Sequence, residues 1–576
     1  MDRKRWTDQQ IPPNHEIENL ALQLGGKSPF PSALANILVQ RGYRTFENVK
    51  EFLRPTREQL HDPWDMKDMD RATVRIIEAI HRQERILIYG DYDVDGTTSV
   101  ALMKLFLQDW GIEADFYIPD RYKEGYGLSA QGIEFAVQEG FGLLLVLDCG
   151  TKAVELIAEG RSKGLDFIIV DHHRPGETLP AAAAMLNPLQ EGCNYPCKVL
   201  SACGLTLKLI QALNEEFPEV LPDAIPYQEY DPFTKYCDLV TLSIASDIVP
   251  IVGENRVIAA HGLEKIRSVP LPGIAALMAL SDFERRWNIS DLVFFIGPRI
   301  NSAGRLRSGR AAVRLLLGDP EERDSFAMDL HRWNEERREL DQEITGEALG
   351  MIEEDPKAND RVSTVLYQAH WHKGVIGIVA SRLIERYHRP TILLTKSEGK
   401  WVGSARSVPG FDLYKALTQC QQYLVRFGGH KYAAGMTMEE SSLEPFRKAF
   451  EKEVSEHITA AQLMPELEIS HRLRFSEITP KFLKLLRLLA PFGPGNMEPI
   501  FLATEVEVME VTILKKEHIR LRVRQDGITH EAIGFNLARH WEAVDSLSIH
   551  LAFQPDTKTW RGVTSVQLKI KDFKTA

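Results

Sequence analysis

The sequence predicts an α/β protein with a parallel-sheet domain, a second and smaller α/β domain, and a C-terminal β domain that closes as a small barrel. Three observations lead there. "RILIYGD", "LLLVLDCG" and "DFIIVDHH" are short continuous apolar runs, which suit strands buried on both faces. Helical patterns such as "SVALMKLFLQDWG" and "AVELIAEGRSKG" separate them, each ending at glycine, and strand–helix alternation is the mark of a parallel sheet. Near the end, "HIRLRVR", "SIHLAFQ" and "SVQLKIKDF" alternate polar and apolar residues, the pattern of half-exposed antiparallel strands.

Taken in order, residues 1–60 read as a helical lead-in with turn signals at "IPPNH" and "SPFPS". Residues 61–265 carry the parallel sheet. Residues 266–355 are a helical connector ending in a highly charged stretch with apolar residues at helical spacing. "PKAND" marks a boundary, and "VSTVLYQ" and "RPTILLTKSEGKWVGSARS" open the second α/β unit, residues 356–460. Residues 465–576 form the β domain. Its strands place Arg520, Arg522, Arg524, Lys569 and Lys571 at polar positions. That pattern suits either a nucleic-acid-binding barrel or an ordinary solvated face.

At 576 residues, 44% hydrophobic and 26% charged, the chain has material for three or four well-cored domains. No apolar run approaches the roughly 20 residues of a membrane span. The opening "MDRKRWTDQQ" is charged with no apolar segment after it, so no signal peptide and a cytoplasmic location are expected. Six cysteines are too few for a disulfide scaffold. Cys193, Cys197 and Cys203 are close together but match no common zinc spacing. The net charge of −12 argues weakly against nucleic acid. Residues 285–314, however, hold seven arginines and one aspartate, which allows a local polyanion groove as readily as a solvated surface.

"ILIYGDYDVDGTTS" raises the chemical question, because Asp91, Asp93 and Asp95 follow a buried strand at alternate positions. An EF-hand loop fails, since its twelfth position is Leu102 and a strand precedes it. "DVDGT" resembles the nucleophile loop of haloacid-dehalogenase-like phosphatases and is the serious rival when judged alone. The third reading is one corner of a multi-metal site. Asp148 ends the second apolar run, and Asp171, His172 and His173 end the third. Ligands gather at the carboxyl ends of parallel strands. Asp247 sits in the apolar segment "LSIASDIVP", where an unpaired carboxylate is costly. Carboxylates mixed with imidazole suit Mn²⁺ or Mg²⁺. Two such ions could bind both an attacking water and the oxygens of a phosphate. The residues thus point to metal-dependent hydrolysis of a phosphate ester or anhydride.

"DHH" at 171–173, after "DYDVDG" and "LDCG", resembles the signature of the DHH phosphoesterase superfamily. "RFGGHKYAAG", "WHKGVIGIVASRL" and "GSARS" resemble its DHHA1 substrate-binding domain, and "GPRINSAGR" and "PDRYKEGYG" resemble the RecJ branch of exonucleases. The resemblance spans nearly the whole chain and implies that the two α/β domains flank a cleft, with an oligonucleotide-binding fold at the C-terminus. It implies metal ligation by Asp93, Asp95, Asp148, His172 and Asp247, with Asp148 bridging two divalent ions. It places His173 against the substrate phosphate, Asp91 behind the ligands, and His430 near the scissile phosphate. Arg121, Ser404 and Arg406 correspond to a pocket for the DNA 5′ phosphate, and Asn301 and Arg305 to the strand path.

The implied activity is 5′-to-3′ hydrolysis of single-stranded DNA to 5′ mononucleotides in recombination and repair. The implied enzyme is a monomer, with the single-strand-binding protein and a helicase as partners and no membrane association. Direction and product rest on the resemblance alone. Tyr89 stands where some manganese pyrophosphatases of the superfamily carry a metal-binding histidine, which argues against that branch. The alternatives are a DHH phosphodiesterase for short oligonucleotides or cyclic dinucleotides, and a non-catalytic nucleic-acid-binding module.

Overall fold

The computed structural model describes residues 4–26, 29–217, 230–283, 285–541, 546–560 and 563–576. They form two compact units, the first of Lys50–Glu335 with Leu489–Glu498, the second of Met1–Val49, Glu336–Leu488 and Pro499–Ala576. The division falls inside a helix of 31 residues, Arg323–Glu353.

The first unit is built on a parallel sheet of β1 (Ile86–Gly90), β2 (Asp115–Tyr117), β3 (Leu143–Leu147), β4 (Asp166–Val170) and β5 (Ala184–Leu186), in the order β2-β1-β3-β4-β5. Every residue of β1 and β3 is buried, as expected of strands covered on both faces. One face packs the larger core, which includes Ile88, Leu145 and Ile168. The other packs Leu87, Val146 and Ile169 against the helices Ala130–Gln138 and Val154–Ser162. The strand order reverses between β1 and β3. The crevice beyond the strand ends at such a switch point is where open α/β sheets bind ligands.

The second unit holds a five-stranded sheet of β6 (Thr364–Tyr367), β7 (Thr391–Ser397), β8 (Lys400–Arg406), β9 (Arg426–Gly429) and β10 (Ala433–Met438). The order is β9-β10-β8-β7-β6, with only β6 and β7 parallel. Its last strands are β11 (Phe501–Leu514), β12 (His518–Gln525), β13 (Ile528–Gly534), β14 (Ser548–Trp560) and β15 (Val563–Thr575). β11 pairs with both β12 and β14, so this sheet closes into a five-stranded barrel.

Several of the basic residues read from the sequence are paired with acids. Arg522 stands in register between Glu510 and Glu531. Arg524 pairs with Glu507 at 2.7 Å and Lys569 with Asp556 at 2.6 Å. Of the seven arginines in 285–314, Arg285 pairs with Asp291, Arg286 with Glu264 and Arg314 with Glu322. Arg299 is buried against Phe295, donating to its carbonyl at 2.7 Å. The six cysteines are buried free thiols. No helix among the described residues is long and apolar enough to cross a membrane.

One buried ion pair fixes the helix behind the candidate site. Lys208, in Ala202–Glu216, lies 2.6 Å from Glu254, both sealed from solvent. Glu254 also accepts from the Tyr195 hydroxyl and the His61 N–H, and Lys208 donates to the His61 carbonyl. Breaking a buried pair strands the surviving charge. Glu254→Gln is therefore expected to cost about 3–5 kcal/mol, measured as a shift of the urea unfolding midpoint at constant slope.

Candidate metal centre

The three aspartates occupy a strand-to-helix turn. Asp91 follows β1, and the helix Val94–Asp109 begins within the motif, five residues before the apolar pattern suggests. Asp93 is its N-cap, its Oδ1 accepting from the Gly96 N–H at 3.1 Å. The turn is tight enough that a Cβ at Gly96 would lie 2.4 Å from the Asp91 carbonyl oxygen. Asp95, one residue into the helix, faces the N-terminus of Ala202–Glu216. It accepts from the N–H groups of Ala202 (2.8 Å) and Cys203 (2.9 Å) and from the Ser243 hydroxyl (2.6 Å).

Asp148 leaves β3 in the left-handed region at φ 60°, a conformation aspartate tolerates better than most residues. Its N–H still bonds the Val170 carbonyl at 2.9 Å, so the β3–β4 ladder carries it to the sheet edge. Asp247 is the C-cap of the helix Pro232–Ser246. His172 Nε2 gathers the set, 3.4 Å from Asp148, 3.5 Å from Asp247 and 3.6 Å from Asp95. A second cluster brings carboxylate oxygens of Asp91, Asp93 and Asp148 within 4.8 Å of one another. Asp148 Oδ1, Asp91 Oδ2 and His172 Nε2 are buried and have no hydrogen-bond partner. Buried polar atoms are otherwise almost always paired. Their donor set of carboxylate oxygens and one imidazole fits hard divalent cations.

The electrostatics agree with that fit. Burial, followed by the charges of Asp95 and Asp93, pushes the Asp148 carboxyl well above its ordinary range. Burial and then Asp93 do the same to Asp91, and burial and then Asp95 raise Asp93. Burial, Asp95 and Asp93 lift Asp247 to about 8. These are carboxylates crowded together, each disfavouring the ionisation of the others.

Asp171 points elsewhere. It accepts from the His173 ring at Nδ1 (2.7 Å), the His173 N–H (3.1 Å) and the Thr151 N–H (3.0 Å). Burial opposes its ionisation, but these bonds and the His173 charge hold it well below the usual range. Burial also opposes charging of His173, yet the hydrogen bond and charge of Asp171 raise it to about 9. The His173 ring is thus oriented by Asp171, beside but separate from His172. Its Nε2 lies 3.2 Å from the Tyr126 hydroxyl, which is 3.4 Å from the Asp148 carbonyl oxygen.

Of the residues singled out from sequence, Asp91, Asp93, Asp95, Asp148, His172, His173 and Asp247 meet here. Asn301 and Arg305 lie one helical turn apart on the half-buried helix Gly297–Leu306, and the Arg305 carbonyl accepts from the Tyr122 hydroxyl. Arg121 stacks over Tyr92 at 4.9 Å. In the second unit, Ser404 and Arg406 are alternate residues of β8, with Arg406 Nη1 donating to Ser404 Oγ at 3.0 Å. The helix Ile376–Tyr387 starts against them, since a Cβ at Gly377 would lie 2.8 Å from Ser404 Oγ and 2.9 Å from Arg406 Nη2. An arginine and a hydroxyl at a helix N-terminus suit an anion. His430 is exposed at the β9–β10 turn, its N–H bonded to the Ala433 carbonyl at 2.8 Å.

Sequence reasoning missed Tyr126, Thr151, Ser243 and the orienting part of Asp171. Asp171 had a signal in its place directly before two histidines, and Tyr126 lay inside the quoted motif "PDRYKEGYG". Tyr89, at the position of the pyrophosphatase histidine, lies on the opposite sheet face and donates to the Gly127 carbonyl at 3.0 Å.

Three family models match the chain: the DHH family N-terminal domain over residues 85–244, the DHHA1 domain over 361–456 and the RecJ OB domain over 469–572. The single-stranded-DNA-specific exonuclease RecJ of Bacillus subtilis is 34% identical over 577 residues, 99% of this chain and 71% of that protein. That of Escherichia coli is 32% identical over 560 residues, 94% of this chain and 95% of that protein. The crystal structure of RecJ in complex with Mn²⁺ from Thermus thermophilus matches with a TM-score of 0.83 at 27% identity, covering 99% of this chain and 80% of that one.

The raised carboxyls set a sign. In the folded, metal-free protein they hold protons that the unfolded chain releases near pH 4. Their contribution to stability is therefore complete below about pH 4 and is lost as pH rises toward about 8. Metal bound only to the folded state replaces those protons. The rise in Tm on adding Mn²⁺ should thus be larger at pH 8 than at pH 5.5. Asp148→Asn should raise the metal-free Tm at pH 8 and largely remove the Mn²⁺ shift. Calorimetry at the two pH values checks both.

Proposed function

The chain belongs to the RecJ family, and from that premise we propose that it degrades single-stranded DNA from the 5′ end, releasing 5′ mononucleotides. It is a metal-dependent nuclease, and its similar proteins are single-stranded-DNA-specific exonucleases. The observation that carries the reading is the set of unpartnered buried atoms on Asp148, Asp91 and His172 at the sheet's switch point. Asp93, Asp95, Asp148, His172 and Asp247 are the residues to hold two divalent ions, Mn²⁺ or Mg²⁺, and Asp91 to orient them. Such ions supply charge neutralisation at the phosphate and activation of water.

The chain's own groups do the rest. His173, aimed by Asp171 through Nδ1, faces the substrate phosphate. Tyr126 holds the Nε2 side of that ring. Ser404 and Arg406, at the start of the helix Ile376–Tyr387, take the terminal 5′ phosphate, with Arg121 as a further cation. The 5′-to-3′ direction rests on membership of the family. His430 serves the scissile phosphate, and Asn301 and Arg305 serve the strand behind it. Family membership supports a cytoplasmic monomer in recombination and repair, working with the single-strand-binding protein and a helicase.

A short-oligonucleotide phosphodiesterase remains the rival, since pairing within 285–314 removes one argument for long strands. The closed barrel favours the longer substrate.

One oligonucleotide, labelled separately at each end, decides between them with Mn²⁺ or EDTA. Early release of the 5′ label as a mononucleotide, only with metal and not from duplex, is expected. Cleavage confined to fragments of a few nucleotides would transfer the protein to the rival class. Asp148→Ala should lower kcat more than the roughly 100-fold seen for groups that only orient a metal ligand, while single-strand binding measured by anisotropy persists. Normal turnover in that variant would overturn the metal assignment.

A further inference from the structure

A buried tyrosine stands behind the metal centre without touching it. Tyr89 is the penultimate residue of β1, fully buried, its ring stacked on Tyr117 at 5.3 Å. Gly132 makes room for that ring, since a Cβ there would lie 2.5 Å from Tyr89 Cε2. Held on two sides, the ring has little freedom. Its hydroxyl donates to the Gly127 carbonyl at 3.0 Å and lies 3.3 Å from Ser129 Oγ. Ser129 donates to Glu124 at 2.5 Å, and Glu124 also accepts from the Tyr117 hydroxyl (3.0 Å) and the Asp120 N–H (2.7 Å).

The segment so tied is a turn that needs tying. Gly125 and Gly127 have φ of 93° and 78°, conformations open to glycine and carrying a large entropy cost when ordered. Between them, Tyr126 is 55% exposed, so neighbouring packing alone does not fix it. Yet two groups from this turn reach the metal centre. The Gly127 N–H donates to Asp91 Oδ1 at 3.4 Å, and the Tyr126 hydroxyl lies 3.2 Å from His173 Nε2. The carbonyl held by Tyr89 belongs to the same residue whose N–H meets Asp91. A tyrosine hydroxyl needing only a partner in the core had Ser129 beside it; its shorter bond goes to the turn.

We infer that Tyr89 is a positioning residue for the reaction: its hydroxyl holds the Gly125–Gly127 turn so that Tyr126 meets His173 and the Gly127 N–H meets Asp91. The inference rests on the nuclease reading of this centre. It acts through the backbone, so removing one hydroxyl from inside the sheet should loosen a loop at its edge.

Tyr89→Phe keeps the ring and removes the hydroxyl. Hydrogen exchange followed by mass spectrometry should show the amides of 121–128 exchanging about ten-fold faster, with β3 unchanged, and Tm should move by only a few degrees. On single-stranded DNA, kcat should fall about ten-fold with KM nearly unchanged, as for other groups that orient an active centre. Tyr126→Phe should also lower kcat, and the loss in the double variant should fall short of the product of the two single losses, because both changes act on the Tyr126–His173 contact. Should Tyr89→Phe fail to fold, Glu124→Gln loosens the same turn from its other end and should give the same exchange pattern. Unchanged exchange at 121–128, a wild-type kcat, or losses that multiply in the double variant would each overturn the proposal. Wild-type protein that leaves single-stranded DNA intact would instead overturn the nuclease reading, with the exchange result still deciding the loop.

Discussion

Crowding of negative charge in a dry place is the constraint around which the first unit is arranged. Two unit charges about 4 Å apart repel by roughly 4 kcal/mol at the effective dielectric of a partly buried site, and six aspartates gather here. The fold relieves three of them with its own groups. Asp95 takes two N–H groups from a helix N-terminus and a hydroxyl from Ser243. Asp93 caps its own helix. Asp171 is answered by His173 and Thr151. Asp91, Asp148 and Asp247 receive far less, and buried oxygens of Asp91 and Asp148 stay unpartnered.

That arrangement draws on several elements at once. The reversal of strand order between β1 and β3 opens the crevice. Gly96 lets the helix start while the chain is still turning away from β1. Asp148 accepts a left-handed backbone to present its carboxylate. Lys208 and Glu254 lock the helix whose N-terminus meets Asp95. Each of these is a local cost, in charge burial or in conformation, and each lies within reach of the same cluster. Strain and perturbed ionisation are expected to collect where chemistry is done.

The second unit carries the opposite chemistry. Ser404, Arg406 and the start of the helix Ile376–Tyr387 offer donors that suit an anion, whereas the first unit's cluster offers carboxylates and an imidazole that suit cations. The distribution of basic residues is correspondingly narrow. Arg285, Arg286 and Arg314 of the basic stretch and Arg524 and Lys569 of the barrel have acidic partners.

Much of this was legible in the amino-acid order. Continuous apolar runs announced buried parallel strands, alternation announced the barrel, and acids at three successive strand ends announced a metal site, because period and strand polarity are local properties of the chain. What the order could not reveal depended on partners distant in sequence. Asp95 and Asp171 look alike on paper. One is capped by Ala202 and Ser243 and faces His172, while the other turns to orient His173, and only folding brings those partners within about 3 Å. The arginines of 285–314 read as free charge until the structure pairs Arg286 with Glu264 and buries Arg299. Tyr89 read as a missing ligand, and packing against Gly132 and Tyr117 turned it into an anchor for the loop beyond. Residue type and spacing determined which chemistry was possible; long-range contacts decided which group performs it, since burial and hydrogen-bond partners are properties of the folded chain.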